Sequence, residues 1–244
     1  MGTETLAPLL YYFLRFTRPR TVLELGAGYT TPFIARALLD NRRDFPRDRA
    51  ALVDKIHKFD AQGSTPQDAA AWNAFYEQAP VAVPAPAYYA GDYASAFTVV
   101  DDFSTAESSS SRVRKALEAQ GLAEHVSFVP STLDSFAAAL QTTDTYDLVW
   151  CDLWGSLQAF ENFFPRLRSG GMMAFHWLLS ERNGEALLRL FKSRAATSGY
   201  EIISFREPHK SKQNSVTLLR RTDEGSRRTY EDLQKLLNEA RLLS

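Results

Sequence analysis

Cysteine is almost absent from this chain: of 244 residues only Cys151 carries a thiol. An internal disulfide is therefore excluded, and the composition suits a reducing compartment, so a cytoplasmic location is expected. Long apolar runs are missing as well, and none approaches the roughly 20 residues that a membrane span needs. Glu4 comes early, with no basic leader and no small-residue cleavage pattern, which speaks against a signal peptide. Charge of one sign is also lacking. The formal net charge is −1 and no basic block stands out, which argues against nucleic acid as the main partner. There is no internal repeat, and the low-complexity patch Ser108–Ser111 is too short to be a linker. What remains, 45% apolar content, is enough to bury a full core as one large domain over residues 1–244.

The richest stretch runs from Thr21 to Pro32. An apolar run ends in Glu24-Leu25 and is broken by Gly26-Ala27-Gly28, where side chains would keep a ligand from the backbone. Thr31 suits an N-cap, and Pro32 suits the first helical position, where its missing N–H costs nothing. The pattern predicts a buried parallel strand, a pinched turn and a helix start whose free amides and dipole attract a small anionic group. A dinucleotide fingerprint would place a third glycine where Thr31 stands.

Apolar spacing predicts a helix over Leu6–Phe16, a second over Phe33–Leu39, and then a long span from about Asn41 to Phe97. That span, 42–97, reads as a helical insertion after the first strand–helix unit, with helices near Ala50–Phe59 and Pro66–Gln78. Its length marks it as a lid or a dimer arm. Strands follow at Phe97–Asp102, His125–Val129, Asp147–Asp152 and Met172–Phe175. They alternate with helices opened by a Ser104–Glu107 capping box, at Phe136–Leu140, at Leu157–Leu167 and at Glu185–Thr197. Tyr200–Phe205 and Ser215–Leu219 read as a closing hairpin, and 226–244 as an amphipathic tail helix, a second candidate for a dimer contact. Together these predict an α/β fold: a doubly wound, mostly parallel seven-stranded sheet with an antiparallel last strand and helices on both faces. Ligands of such folds bind at the carboxyl ends of the strands, near the topological switch.

Glu24-x-Gly26-x-Gly28-x-Thr30, followed by acids at the next strand ends and a terminal hairpin, resembles the class I S-adenosylmethionine-dependent methyltransferases. The resemblance covers roughly Leu6 to Arg221 apart from the insertion. It implies that Glu24, Gly26, Ala27, Gly28, Thr30 and Thr31 cradle the methionine end of S-adenosylmethionine. It implies that Asp102, with Asp101 in reserve, holds the ribose hydroxyls, which a carboxylate accepts well. Ser131 and Thr132 fall at the adenine-edge position, where many relatives have Gly-Asp. Tyr146 to Asp152 and then Ser169-Gly170-Gly171 look like the catechol-type O-methyltransferase branch. That branch holds a divalent metal with an Asp-Asn pair after the next strand. Here the pair reads His176-Trp177, so no metal is expected.

The resemblance places Asp152 where methyl donor and acceptor meet. His176, an imidazole at the end of the fifth strand, is the candidate general base, and Asp152 the group that orients it or binds an acceptor amine. Tyr88, Tyr89, Tyr93, Trp154 and Trp177 are candidates for an aromatic lid over the acceptor, with Glu207, His209 and Lys210 at the pocket mouth. The expected activity is methyl transfer from S-adenosylmethionine to a hydroxyl, carboxyl or amine of a small molecule, such as a secondary metabolite, by a homodimer with no nucleic-acid or membrane partner. Two alternatives stand beside it: an NAD(P)-dependent oxidoreductase, and a cofactor-binding protein without turnover.

Overall fold

A computed structural model describes residues 2–61, 63, 69–77, 86–103, 108–222, 235, 238–239 and 241–243. The chain divides into two compact units, residues 1–39 with 95–227, and residues 40–94 with 228–244. No helix among the described residues is long and apolar enough to cross a membrane.

The first unit contains α1 (Leu6–Thr17), β1 (Thr21–Leu25) and the opening turns of α2 (Thr31–Ala61). After the second unit's α3 (Ala69–Glu77) it resumes with β2 (Ala96–Asp101), α4 (Ser110–Ala119), β3 (Ser127–Pro130), α5 (Leu133–Ala139) and β4 (Tyr146–Cys151). It closes with α6 (Ser156–Phe163), β5 (Leu167–His176), α7 (Gly184–Ser198), β6 (Tyr200–Arg206) and β7 (Ser215–Arg221). The strands form one seven-stranded sheet in the order β3-β2-β1-β4-β5-β7-β6. β1 pairs parallel with β2 and β4, so the order reverses beside it. β7 runs antiparallel to both β5 and β6. The sheet read from the sequence is the sheet observed.

Alternation along the strands explains the layers. Val22, Val99, Leu148 and Trp150 pack with Leu10 and Leu14 of α1, Ile34 and Leu38 of α2, and Val113 and Leu117 of α4. The intervening residues Leu23, Leu25, Val149, Cys151 and Phe175 pack on the opposite face with Phe160, Phe163 and Phe191. Glu24 follows the first set and is fully buried on the face of α1, α2 and α4.

Element ends differ from the sequence reading for local reasons. α6 stops at Phe163 and tightens into a 3₁₀ turn around Pro165 instead of reaching Leu167. β5 starts at Leu167, five residues before Met172, because Ser169-Gly170-Gly171 continues the strand past a register shift on β4. α5 begins at Leu133, where Thr132 caps it by accepting the Ser135 amide. The Ser104–Glu107 capping box lies outside the described residues, as does most of the 226–244 tail.

In the second unit α2 runs unbroken through Pro46, where the sequence suggested two separate helices. A proline removes one intrahelical bond, but Phe45, Leu52, Ile56 and Phe59 share one face and bury it. Arg49 donates to the Leu243 carbonyl at 3.1 Å, and Arg241 pairs with Asp60.

One acid organises the amino ends of the central strands. Oδ2 of Asp147 accepts the Arg20 amide at 2.7 Å, the Thr21 amide at 2.8 Å and the Thr21 hydroxyl at 3.0 Å. Arg168 completes the cluster from β5 at 3.2 Å. Asp147→Ala strands two backbone donors, and a loss of about 2–3 kcal/mol in unfolding free energy is expected. Denaturant titration measures it; an unchanged midpoint would show that water replaces the carboxylate without cost.

Candidate functional site

The turn after β1 is fastened on every side. The Gly26 amide donates to the Val100 carbonyl at 2.8 Å, and the Asp152 amide donates to the Leu25 carbonyl at 2.9 Å. The Ala27 amide donates to Oδ2 of Asp101 at 2.8 Å, and the Ser109 hydroxyl donates to the Ala27 carbonyl at 2.6 Å. Ser108 donates to the other oxygen of Asp101 at 2.7 Å. The Gly28 amide donates to the Thr31 hydroxyl at 3.0 Å. Three amides of the pinched turn are therefore used by the protein itself, leaving those of Tyr29 and Thr30 without a backbone acceptor among the described residues.

The two glycines of the turn are not equivalent. Gly26 has φ +92°, and a Cβ there would lie 2.6 Å from the Asp152 carbonyl oxygen. Gly28 would place a Cβ no nearer than 3.6 Å to Oδ2 of Asp152. The first glycine is demanded by the protein's own backbone, and the second leaves open space toward a carboxylate.

Beneath the turn sits Glu24, whose Oε1 accepts the Thr30 hydroxyl at 2.6 Å while Oε2 has no partner among the described residues. Burial pushes its pKa up to about 8; the Thr30 and Thr31 hydroxyls pull it down, and the Asp152 and Asp101 carboxylates add to the rise. At neutral pH it is mostly the neutral acid.

At the ends of β4 and β5, Nδ1 of His176 lies 2.7 Å from Oδ1 of Asp152, and Nε1 of Trp177 donates to the same oxygen at 2.9 Å. His176 is buried, its ring stacks on Trp150 at 6.1 Å, and its Nε2, itself buried, has no partner among the described residues. Trp177 holds φ +51°, uncommon for a bulky residue, and its amide donates to the Ser215 carbonyl at 2.6 Å. That left-handed step lets His176 and Trp177, adjacent in sequence, meet one carboxylate.

These groups open onto a cleft of about 920 Å³, within the ~300–1,000 Å³ common for small-molecule sites. Ala27, Gly28, Asp152 and His176 line it together with Tyr11 and Tyr12 of α1, Phe33 and Arg36 of α2, and Arg112 and Val113 of α4. Gly2, Thr3 and Gln213 contribute as well. The Lys210 ammonium holds the N-terminal segment there, donating to the Gly2 carbonyl at 2.6 Å and to Oε1 of Glu207 at 2.9 Å. Burial works against the Glu207 carboxylate, yet Lys210 and Thr5 keep it below the usual carboxylate range.

The other candidates distribute as follows. Asp101 ends β2 with both oxygens bound to the turn and to Ser108, and Asp102 follows half-buried. Thr132 caps α5, and the Ser131 amide donates to the Asp101 carbonyl at 3.1 Å. Trp154 is exposed and stands edge-on to Trp177 at 4.1 Å. His209 is mostly exposed beside Glu207. In the second unit Tyr88, Tyr89 and Tyr93 pack on Phe45, with ring centroids 5.0–5.7 Å away, and build that unit's core. Burial pushes the Cys151 thiol up and leaves it inert. Among the described residues no three acids, histidines or cysteines converge as a metal site would. Sequence reasoning missed Ser108, Ser109, Arg36, Arg112 and Trp177's tie to Asp152, because an exposed helix face or a serine run carries no local signature.

The buried acid makes stability depend on pH. Below its ordinary pKa of 4.5 Glu24 is protonated whether the chain is folded or unfolded. Between 4.5 and about 8 the unfolded chain releases the proton and the folded chain keeps it, so stability falls as pH rises; above about 8 the loss is complete. Glu24→Gln is expected to flatten Tm across that window, and a slope equal to the wild type's in thermal unfolding would refute the assignment.

A family model described as a methyltransferase domain matches residues 23–176, more than half of the chain. No curated protein matches the sequence. Among solved structures, an O-methyltransferase from Bacillus cereus in complex with SAH aligns with TM-score 0.58 at 11% identity, over 90% of this chain and 81% of that one. The O-methyltransferase TomG from Streptomyces achromogenes, involved in tomaymycin synthesis and in complex with SAM, aligns with TM-score 0.56 at 17% identity, over 91% and 82%. An rRNA methylase from Streptococcus thermophilus aligns with TM-score 0.53 at 12% identity, over 88% and 95%. At such identities the likeness is one of fold. The family match, the strand order and the glycine turn above a buried acid agree: the chain belongs to the methyltransferase-domain family, with the fold of its class I, S-adenosylmethionine-dependent members.

Proposed function

We propose that this protein transfers the methyl group of S-adenosylmethionine to a hydroxyl oxygen of a small molecule, with His176 as the base. The single observation that carries the reading is the Asp152–His176 pair at 2.7 Å, set beside the glycine turn and lining one cleft with it.

The residues fit the donor. Oδ2 of Asp152 takes no hydrogen bond among the described residues and faces the space left by Gly28, where a cationic group finds a carboxylate. The Tyr29 and Thr30 amides suit its carboxylate, and Asp102 at the end of β2 suits a ribose. Glu24, Gly26, Ala27, Thr30 and Thr31 shape the cradle from behind, and Ser131 and Thr132 border the adenine side.

S-adenosylmethionine supplies a methyl group on a sulfonium, open to in-line displacement. The chain must then hold an acceptor oxygen on the far side of that methyl group and take up its proton. His176 is arranged for the second task. With Nδ1–H donated to Asp152, the imidazole carries its lone pair on Nε2, a buried atom with no partner among the described residues, so the acceptor hydroxyl would have to displace part of the cleft wall to reach it. His176 would take up the hydroxyl proton on Nε2 when the methyl group is transferred to the acceptor oxygen. Asp152 and the stack on Trp150 fix the ring, so orientation contributes as well as proton transfer.

The net charge of −1 and the size of the cleft support a small molecule over nucleic acid as acceptor. The antiparallel β7 and the family match leave the oxidoreductase alternative without support. The reading extends to a cytoplasmic homodimer, which a buried single thiol and the added sequence at 42–97 and 226–244 suit.

Calorimetry with S-adenosylhomocysteine and with NADH tests the donor: binding of the first alone is expected, and binding of NADH alone would overturn the assignment. His176→Gln should lower kcat by about 10²–10⁴-fold with S-adenosylhomocysteine affinity retained. A full rate in that variant would remove His176 as the base. Asp102→Ala should weaken cofactor binding in the same calorimeter.

A further inference from the structure

The cleft wall at the His176 end includes two segments that belong to no strand or helix. Gly2, Thr3 and Gln213 line the cleft together with Asp152 and His176. The first two precede α1, and Gln213 lies in the loop between β6 and β7. Sheet register brings that loop to this end: Val216 of β7 pairs with His176, and the Ser215 carbonyl accepts the Trp177 amide at 2.6 Å.

The two segments are held differently. The loop is tied by its own bonds: the Glu207 amide donates to the Asn214 carbonyl at 2.7 Å, and the Asn214 side-chain amide donates to the Lys210 carbonyl at 2.9 Å. The Gln213 amide adds a bond to the Ser180 hydroxyl at 3.1 Å. Residues 2–5, in contrast, are fastened to the loop through two of its side chains. The Lys210 ammonium donates to the Gly2 carbonyl at 2.6 Å, to the Thr5 hydroxyl at 3.0 Å and to Oε1 of Glu207 at 2.9 Å. The Thr5 hydroxyl in turn donates to Glu207. The fit is close: a Cβ at position 2 would lie 3.1 Å from Cβ of Gln213, and Thr3 is buried.

Nε2 of His176 is buried although the ring lines the cleft, so part of the wall has to move before a hydroxyl reaches it. The sheet around His176 is fixed by ladders and by its core. Residues 2–5 are fixed largely by one ammonium on a flexible stem, and its withdrawal frees Gly2, Thr5 and Glu207 together. Segments of this kind are the ones that open locally.

We propose that residues 2–5 are a strap latched by Lys210 and Glu207, and that its release opens the acceptor end of the cleft to His176. The inference rests on the reading of His176 as the base and adds the part that moves to give access. Lys210 and Glu207 are positioning residues: they set how often the strap is open. The donor's turn is fastened separately, by Val100, Asp101 and Ser109, and does not depend on the latch.

Reaction with diethyl pyrocarbonate, followed at each histidine by peptide mass spectrometry, reads the strap directly. His57, exposed in the second unit, serves as the reference. His176 of the wild type is expected to react about tenfold or more slowly than His57. Lys210→Met keeps the stem and removes the charge and its donors; it should speed modification of His176 about tenfold, with His57 unchanged and the S-adenosylhomocysteine Kd within about twofold of wild type. Equal His176 rates in wild type and variant overturn the proposal, as does a wild-type His176 that reacts as fast as His57. A faster His176 accompanied by tenfold weaker S-adenosylhomocysteine binding makes Lys210 a residue of the whole fold and also overturns it. If Lys210→Met does not fold, Glu207→Gln takes its place with the same expectation and the same refutations. Modification uses no turnover, so a full rate in His176→Gln brings down the base reading by a separate measurement.

Discussion

Backbone hydrogen bonds from two neighbouring strands fix the turn between β1 and α2, and the site is organised around that constraint. Val100 at the end of β2 holds Gly26, and Leu25 holds Asp152 at the end of β4. The close approach of the Asp152 carbonyl leaves no room for a Cβ at position 26. Because Asp152 is pinned by its backbone, its carboxylate is delivered to a fixed place beside Gly28. Catalytic groups gain from such preorganisation, since the cost of ordering them is met when the protein folds.

The same constraint accounts for the buried acid. A charged residue on a central strand is expensive to desolvate, and Glu24 lies under the threonines that open α2. Keeping it as a neutral acid lets a hydroxyl satisfy one oxygen without an opposing cation. The cost is a fold that loses stability as pH climbs toward 8. A cationic ligand group next to the turn would favour the ionised form, which links occupancy of the cleft to the protonation of a residue beneath it.

His176 and Trp177 show how the end of β5 can bring two neighbouring side chains to one carboxylate. Adjacent strand residues point to opposite faces, so two neighbours do not ordinarily reach one partner. The left-handed backbone at Trp177 breaks the alternation, and Ser215 on β7 holds it there. Sterically unfavourable residues of this kind persist where surrounding bonds over-determine them.

Much of this was legible in order along the chain. Strand positions, the closing hairpin, the glycine turn and the acids at strand ends were readable because each depends on neighbours within a few residues. Apolar period, helix caps and the φ freedom of glycine are local properties, and the sheet topology follows from them by simple rules of connection. The unbroken passage of α2 through Pro46 was not legible, since it depends on the burial of Phe45, Leu52, Ile56 and Phe59. Tyr88, Tyr89 and Tyr93 read as lid residues, yet their rings build a core around Phe45, because an aromatic residue looks the same in sequence whether it covers a ligand or a neighbour. Ser108 and Ser109 read as low complexity and proved to be the fasteners of Asp101 and Ala27. Sequence alone determined the fold class and the strand ends that carry the site, through signals that act over a few residues. Tertiary structure decided the bond from Asp152 to His176 and the raised pKa of Glu24, because each arises between side chains separated in the chain and is set by the distance folding leaves between them.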